Sequence, residues 1–553
     1  MPTTINATSL RAAAALLFLG APTIATAQTA RNATTREQQR QPIATPTLVV
    51  QITVDQLRPD YLDRFAPQLT GGLGRLMRNG ARFTNAAHDH AATETAPGHA
   101  TVWSGRHPSH TGIVTNAIGV GDPQSPVLFG RVGGASPFRF RGSALFDWIR
   151  IDDPASRALS VSRKDRGAIL PIGRAKQQAY WYSGDGRFTT SRYYADTLPT
   201  WVQRFNARDF LSRYRGKDWT LLLDVSAYPE ADSVALENGG KDYVFPHRLS
   251  NDVRQAGIDF EEFPWMDDVT VELALEGLNQ LQLGRGPSID VLSVSLSTTD
   301  AVGHRYGPDS REIHDQVLRV DRALGVLLDS LYKLRDSTSI LIALSADHGV
   351  APYPEKHFAG DATRGRAAAG LVIDSTRKRL AALGVETRAL SFGTGIVRLD
   401  RDQLEARNVN PDSVIRAMRA AFLATRGVLR VDRVETLPAL AAKGDSVARR
   451  WMHSLPPDLN AVLAVTLQPY WYWSTVRYAT HGMPYSYDAR VPVIIAGASV
   501  KPGRYTQPIR TVDVAPTLAA LIGVKPTEPT DGRVLREIMV QSKPSSPARR
   551  VSR

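Results

Sequence analysis

The chain has 553 residues, 42% of them hydrophobic, with 67 Lys or Arg against 54 Asp or Glu, a formal net charge of +13, and no cysteine. That length suffices for a large buried core. The missing thiols exclude disulfide cross-links, thiolate metal ligands and cysteine nucleophiles. The Arg-rich balance describes a solvated basic surface that steers anions. No basic–aromatic stripe points to a nucleic-acid partner.

Met1–Ala27 reads as a signal peptide: Arg11 is its one charge, Ala12–Leu19 is apolar, and Ala25-Thr-Ala27 offers a cleavage site before Gln28. That apolar run is too short to cross a bilayer, as is every later one, so a periplasmic or secreted chain without a membrane anchor is expected. Residues 28–45, rich in Thr, Arg and Gln, read as a disordered leader. One large domain is expected over 46–540, with a basic flexible tail over 541–553.

Leu48–Asp55 is a nearly continuous apolar run, as in a buried parallel strand, and it ends in Asp55. Gly98–Gly105 begins a helix whose first turn accommodates Pro97. Ala158 to about Pro287 is mixed and rich in Tyr, Trp and Arg, and is expected to be an insertion over the sheet edge. Ile289–Leu296 is a second buried strand, and Asp300-Ala-Val-Gly-His304 lies just after it. Arg311–Arg335 carries Ile313, Val317, Val320, Leu324, Leu327 and Leu331 at helical spacing. Ser339–Ala346 is a third strand, closed by Asp347-His348-Gly349; strand, helix, strand is most simply a right-handed βαβ unit. Arg364 to about Tyr470 is a second expected insertion, with a βα-like section over Val385–Leu399 and Ser413–Arg430. Val491–Gly497 is a further buried strand, and Asp513 opens a helix to Ile522 with Pro516 in its first turn.

Asp347-His348-Gly349 read alone is an ordinary turn. Its company changes that. Asp55, Asp300 with His304, and Asp347 with His348 all follow buried strands, which places them at the carboxyl edge of a parallel sheet, where open α/β sheets bind ligands. Asp300 and His304 are four apart, so one turn of backbone brings both to one point. His481 stands in Thr480-His481-Gly482. A mixed Asp/His set suits zinc or a similar divalent ion. Thr95, in Thr93-Glu-Thr95-Ala-Pro97, would sit at a helix N-terminus, where free N–H groups and the dipole favour an alkoxide or a phosphate. Thr93 is the rival hydroxyl. His88, His90, His99, His107 and His110 crowd the same region; His99 is expected to support the helix start, and Asp60 to be structural.

Taken together these residues resemble the alkaline phosphatase superfamily of metallohydrolases, within it the PafA-type periplasmic alkaline phosphatases. The resemblance runs from about Leu48 to Leu535. Ser162-Arg-Lys164-Asp-Arg166 matches that subgroup's Lys-x-Arg signature, and Asn116 in Gly112-Ile-Val-Thr-Asn116 matches the family's phosphate-contacting Asn. After Asn116 the chain reads Ala-Ile-Gly-Val, a departure from the subgroup's pattern. The resemblance implies a three-layer α/β/α fold around a mostly parallel sheet. It implies two zinc ions per chain, one on Asp300, His304 and His481, the other on Asp55, Asp347 and His348 with the Thr95 oxygen as remaining ligand. It implies hydrolysis of small-molecule phosphate monoesters through a phosphothreonine at Thr95 by a monomeric enzyme. Asn116, Lys164 and Arg166 would recognise the dianionic phosphoryl group. A phosphodiesterase or nucleotide pyrophosphatase of the same superfamily shares the six ligands, the Thr and the Asn; Lys164 and Arg166 argue against it. A sulfatase needs a Cys or Ser where Thr95-Ala-Pro97-Gly-His99 stands.

Overall fold

The computed structural model describes residues 45–131, 133–358, 365–474 and 478–540. The expected signal peptide, the leader apart from Thr45, and the tail lie outside the described residues.

The apolar runs assemble into one ten-stranded sheet. Its strands are β1 (Leu48–Val54), β2 (Ala81–Ala87), β3 (Ala158–Ser162), β4 (Gln178–Tyr182), β5 (Phe188–Thr189), β6 (Asp290–Leu296), β7 (Ile340–Ser345), β8 (Arg490–Gly497), β9 (Gly503–Tyr505) and β10 (Ile509–Arg510). The spatial order is β9-β2-β8-β7-β1-β6-β3-β4-β5, with β10 also pairing β2. The centre is parallel: β7, β1, β6, β3 and β4 run the same way. β8 is antiparallel to both neighbours, and β5 to β4.

Six helices matter here: α1 (Gly72–Asn79), α2 (Thr95–Ser104), α3 (Trp265–Gln280), α4 (Thr298–Tyr306), α5 (Arg311–Leu334) and α6 (Val514–Ile522). Alternation along β1 assigns the layers. Leu48, Val50, Ile52 and Val54 share a core with Val317, Leu324 and Leu327 of α5 and Leu273 of α3. Val49 faces the other way, in a core with Val102 and Trp103 of α2 and Leu518 of α6. On that face Trp103 Nε1 donates to Thr53 Oγ1 at 3.1 Å, satisfying two polar groups inside the core. The result is the three-layer α/β/α sandwich around a mostly parallel sheet.

β6 and β7 are joined by α5 and both flank β1, so α5 crosses over a central strand. One reading of the sequence needs correction. The stretch from Ala158 does not lie wholly over the sheet edge. It supplies β3, β4 and β5 to the main sheet, and α3 covers one face of it. The aromatic run Ala179-Tyr-Trp-Tyr182 is a buried strand whose bulk resembled irregular sequence, although aromatic residues favour strands. Asp513 opens α6 as its N-cap residue, and its side chain accepts from Arg510 N at 2.9 Å and Arg533 N at 2.8 Å rather than from the helix's own N–H groups.

The region after Gly365 holds a separate four-stranded antiparallel sheet. Its order is Leu390–Gly393, Ile396–Leu399, Ala461–Leu467, Val428–Arg433. Helices Gly370–Ala382 and Pro411–Leu423 pack on it around their own core, which includes Val372, Ile415 and Phe422.

Candidate active site

Parallel pairing brings the acids together. Thr53 is in register with Ser295 of β6 and Ser345 of β7, so all three strands end at one level. Asp55 follows β1 directly, its N–H donating to Leu296 O at 2.9 Å. Asp347 follows β7 after one residue, and Asp300 and His304 share one face of α4. The His481 loop comes from far along the chain and closes over them. Two clusters result: Asp55, Asp347 and His348; and Asp300, His304 and His481.

The three histidines share one device. His304 Nδ1 lies 2.6 Å from Ala479 O, His348 Nδ1 2.9 Å from Gly349 O, and His481 Nδ1 2.7 Å from Thr93 O. A carbonyl only accepts, so each Nδ1 carries the proton and each Nε2 presents a lone pair. All three Nε2 atoms face carboxylates: His304 to Asp300 at 3.2 Å, His481 to Asp300 at 3.7 Å, His348 to Asp55 at 3.4 Å. Asp55 Oδ1 and Asp347 Oδ2 are buried with no hydrogen-bond partner. Buried polar atoms are ordinarily paired, so these oxygens fit a cation. Burial, then the Asp300 and Asp347 charges, push the Asp55 carboxyl well above its usual range. Burial holds His348 well below its own. Asp300 is held low despite burial because Lys164 and His304 oppose that penalty. Three buried carboxylates share Lys164, while Arg163, 3.9 Å from Asp300, is also paired with Glu261, which leaves the pocket short of positive charge. Oxygen and imidazole donors in these proportions suit zinc or a similar divalent ion.

Thr95 lies beside the cluster of Asp55, Asp347 and His348. Its Oγ1 is 3.5 Å from His348 Nε2 and accepts from Lys164 Nζ at 3.3 Å. Thr95 is the first residue of α2; Glu94 is the N-cap, and no side chain caps the helix. The Thr95 hydroxyl is therefore free of capping duty. Thr93 Oγ1 donates instead to Met483 O at 3.2 Å and points elsewhere. α2 approaches so closely that a Cβ on Gly98 would collide with the Asp347 backbone.

Lys164 Nζ is 2.6 Å from both Asp55 Oδ2 and Asp300 Oδ2, linking the two clusters. Asn116 Oδ1 accepts from Ala96 N at 2.9 Å, so its amide N–H₂ is not engaged by that bond. Arg166 has one ion pair among the described residues, with Asp165 at 3.4 Å, and its buried Nε has no hydrogen-bond partner. His99 supports the helix start as expected, with Nδ1 3.0 Å from Thr95 O and Nε2 3.0 Å from Ser295 Oγ; it also lies 3.2 Å from Asp347 Oδ2.

Sequence reasoning missed Gln56. Its backbone is left-handed (φ 65°), its N–H donates to Asp347 Oδ1 at 3.1 Å, and its Nε2 donates to Asp300 Oδ1 at 2.7 Å. It therefore orients one candidate ligand in each cluster. The available signal was its place directly after Asp55. Arg163, 3.9 Å from Asp300 Oδ2 and 3.1 Å from Glu261, was also missed.

Fold and site together define a hydrolase of the alkaline phosphatase-like superfamily. The family model for type I phosphodiesterase / nucleotide pyrophosphatase matches residues 49–389, and the chain belongs to that family. Among individual proteins, it is 30% identical to the "Calcium-transporting ATPase" of Myroides odoratus over 90% of this chain and 95% of that one. It is 28% identical to the alkaline phosphatase PhoV of Synechococcus elongatus, over 90% and 94%. It is 27% identical to the alkaline phosphatase PafA of Elizabethkingia meningoseptica, over 91% and 96%. A crystal structure of wild-type PafA superposes with a TM-score of 0.82 at 25% identity, covering 90% of this chain and all of that one. No helix among the described residues is long and apolar enough to cross a membrane.

Proposed function

We propose that this protein is a phosphate monoesterase in which Thr95 is the nucleophile. The observation that carries the reading is the placement of Thr95 Oγ1, free of capping duty, 3.5 Å from His348 Nε2 and 3.3 Å from Lys164 Nζ, the amine that reaches both ligand clusters. A threonine hydroxyl is a weak nucleophile without activation. Asp300, His304 and His481 would hold one zinc and Asp55, Asp347 and His348 the other, with Thr95 Oγ1 completing the second set. When bound, such a pair supplies Lewis-acid stabilisation of the entering and departing oxygens.

The chain's own residues do the rest. Thr95 Oγ1 attacks phosphorus, forming the phosphothreonine ester as the bond to the departing oxygen breaks; that oxygen leaves as the alcohol. Water then attacks the same phosphorus, releasing inorganic phosphate and restoring the threonine. Two in-line displacements give net retention. Lys164 Nζ and the Asn116 amide donate to the non-bridging oxygens, and the α2 N–H groups add positive potential at the same point. Gln56 and the three carbonyl-anchored imidazoles hold the ligands in orientation.

A monoester presents a dianionic group and a diester a monoanionic one, so Lys164 and Arg166 favour monoesters. The likeness to alkaline phosphatases agrees with this, whereas the name of the matched family favours diesters. The kcat/KM ratio for an aryl phosphate monoester and its matching diester tests the two. A strong monoester preference supports the reading; a diester preference overturns it. The signal-like N-terminus fits a periplasmic or secreted enzyme acting on small-molecule esters as a monomer.

A further inference from the structure

We propose that Glu94 is a positioning residue through which the hairpin of the inserted sheet sets Asn116 and, with it, the start of the nucleophile helix. Glu94 precedes Thr95, and its carboxylate makes two bonds in opposite directions. Oε2 accepts the backbone N–H of Asn116 at 2.6 Å. Oε1 accepts the hydroxyl of Thr394. Asn116 is therefore clamped at both ends: its backbone to the side chain of residue 94, its Oδ1 to the backbone N–H of residue 96. The two anchors flank Thr95, and the Asn116 amide N–H₂ remains the free donor.

Two further observations point the same way. Glu94 has no cationic partner among the ion pairs of the described residues, although it sits beside a site that would take an anion. A negative charge there opposes substrate binding, so its contribution has to come through geometry. Thr394 lies in the two-residue turn between Leu390–Gly393 and Ile396–Leu399, with φ 48° followed by Gly395 at φ 81°. Such turns favour Asn, Asp or Gly, and a β-branched residue with positive φ is a backbone outlier that marks a constrained position. The same turn touches the metal-ligand loop, since a Cβ on Gly482 would lie 3.0 Å from Thr394 Cγ2. The inserted sheet thus reaches the phosphate side of the site at two points, and Glu94 is the polar one.

This inference rests on the reading of Asn116 as a contact to the transferred phosphoryl group. The test is a double-mutant cycle on monoester turnover, with kcat and KM resolved. Glu94→Ala lowers kcat/KM about tenfold in the parent chain, but less than about twofold in an Asn116→Ala background, because the group it positions is gone. Glu94→Gln restores at least a third of parent activity, roughly, since its carbonyl accepts from Asn116 and its amide donates to Thr394 Oγ1. Thr394→Val, which removes one hydroxyl, gives a smaller loss of about threefold, with the same disappearance in the Asn116→Ala background. Equal losses in both backgrounds, or no loss with Glu94→Ala, overturn the proposal. If Glu94→Ala does not fold, the Glu94→Gln and Thr394→Val cycles decide it alone. A parent chain without monoester turnover breaks the functional reading instead, and is seen before any variant is made.

Discussion

The two ligand clusters and a third group, Asp89 with His107 and His453, use the same residue types within the same reach, yet their surroundings differ. In the candidate active site, Asp55 Oδ1 and Asp347 Oδ2 are buried without a hydrogen bond, with only His99 Nδ1 near the latter at 3.2 Å, and each candidate ligand histidine spends Nδ1 on a carbonyl and keeps Nε2 free. In the third group, Arg449 takes both oxygens of Asp89 at 3.1 Å each, and Arg450 stands 3.7 Å away. His453 turns Nδ1 to the Asp89 carbonyl and stacks on His107 with ring centroids 4.0 Å apart. Burial, then the neighbouring His453, push His107 down to about 3, so it stays neutral. His107 keeps two unpaired ring nitrogens, but the carboxylate that would complete a metal triad is already neutralised. Residue type and proximity are therefore a poor test of a metal site. What surrounds the donors decides it, because two guanidinium groups beside a carboxylate leave no deficit for a dication to fill.

The largest expected effect concerns the hydroxyl proposed as the nucleophile. Thr95→Ala should lower monoester turnover by at least about 10³-fold while metal content stays near that of the parent chain. Turnover like the parent's would remove Thr95 from the mechanism. Next is the contrast itself. His348→Ala should cost about 10²-fold or more in kcat/KM and reduce the divalent metal retained after dialysis. His453→Gln should retain the parent's metal content; elemental analysis showing one ion fewer per chain would make the third group a metal site and erase the distinction. Lys164→Ala combined with Arg166→Ala should lower monoester kcat/KM about 10–100-fold more than diester kcat/KM, and equal losses would rule these residues out as the source of selectivity.

The smallest effect is on stability. Arg449 and His453 hold the Asp89 carboxyl far below its usual range despite the opposing effect of burial. A depressed folded-state value means the stabilisation is present above the ordinary carboxylate range near 4 and is lost as pH falls through it toward the folded value. Asp89→Asn should therefore destabilise at pH 7 by about 1–3 kcal/mol. Its Tm deficit should shrink in acid; a deficit independent of pH would show that the ion pair is not its source.

Much of the site was legible because its residues punctuate strong patterns. Asp55, Asp300 and Asp347 follow nearly pure apolar runs, and a buried parallel strand has few other ways to read. Pro97 located the helix start and so singled out Thr95. Elsewhere local composition was ambiguous. Ala179-Tyr-Trp-Tyr182 resembled irregular chain and is a strand buried inside the sheet. Gln56 carried no chemical signature, and its role comes from a left-handed backbone that aims one residue at two clusters.

By itself, then, the sequence determined the ligand types, the candidate nucleophile and the α/β class, because apolar periodicity and residue chemistry are local properties. Only the tertiary structure decided that β6 and β7 flank β1, which brings the three strand ends to one level. It alone supplied the carbonyls that orient the imidazoles, the arginine that neutralises Asp89, and the hairpin contact at Glu94. Each is a pairing between residues far apart in the chain. Such pairings depend on which surfaces are buried against each other, and no local pattern encodes that.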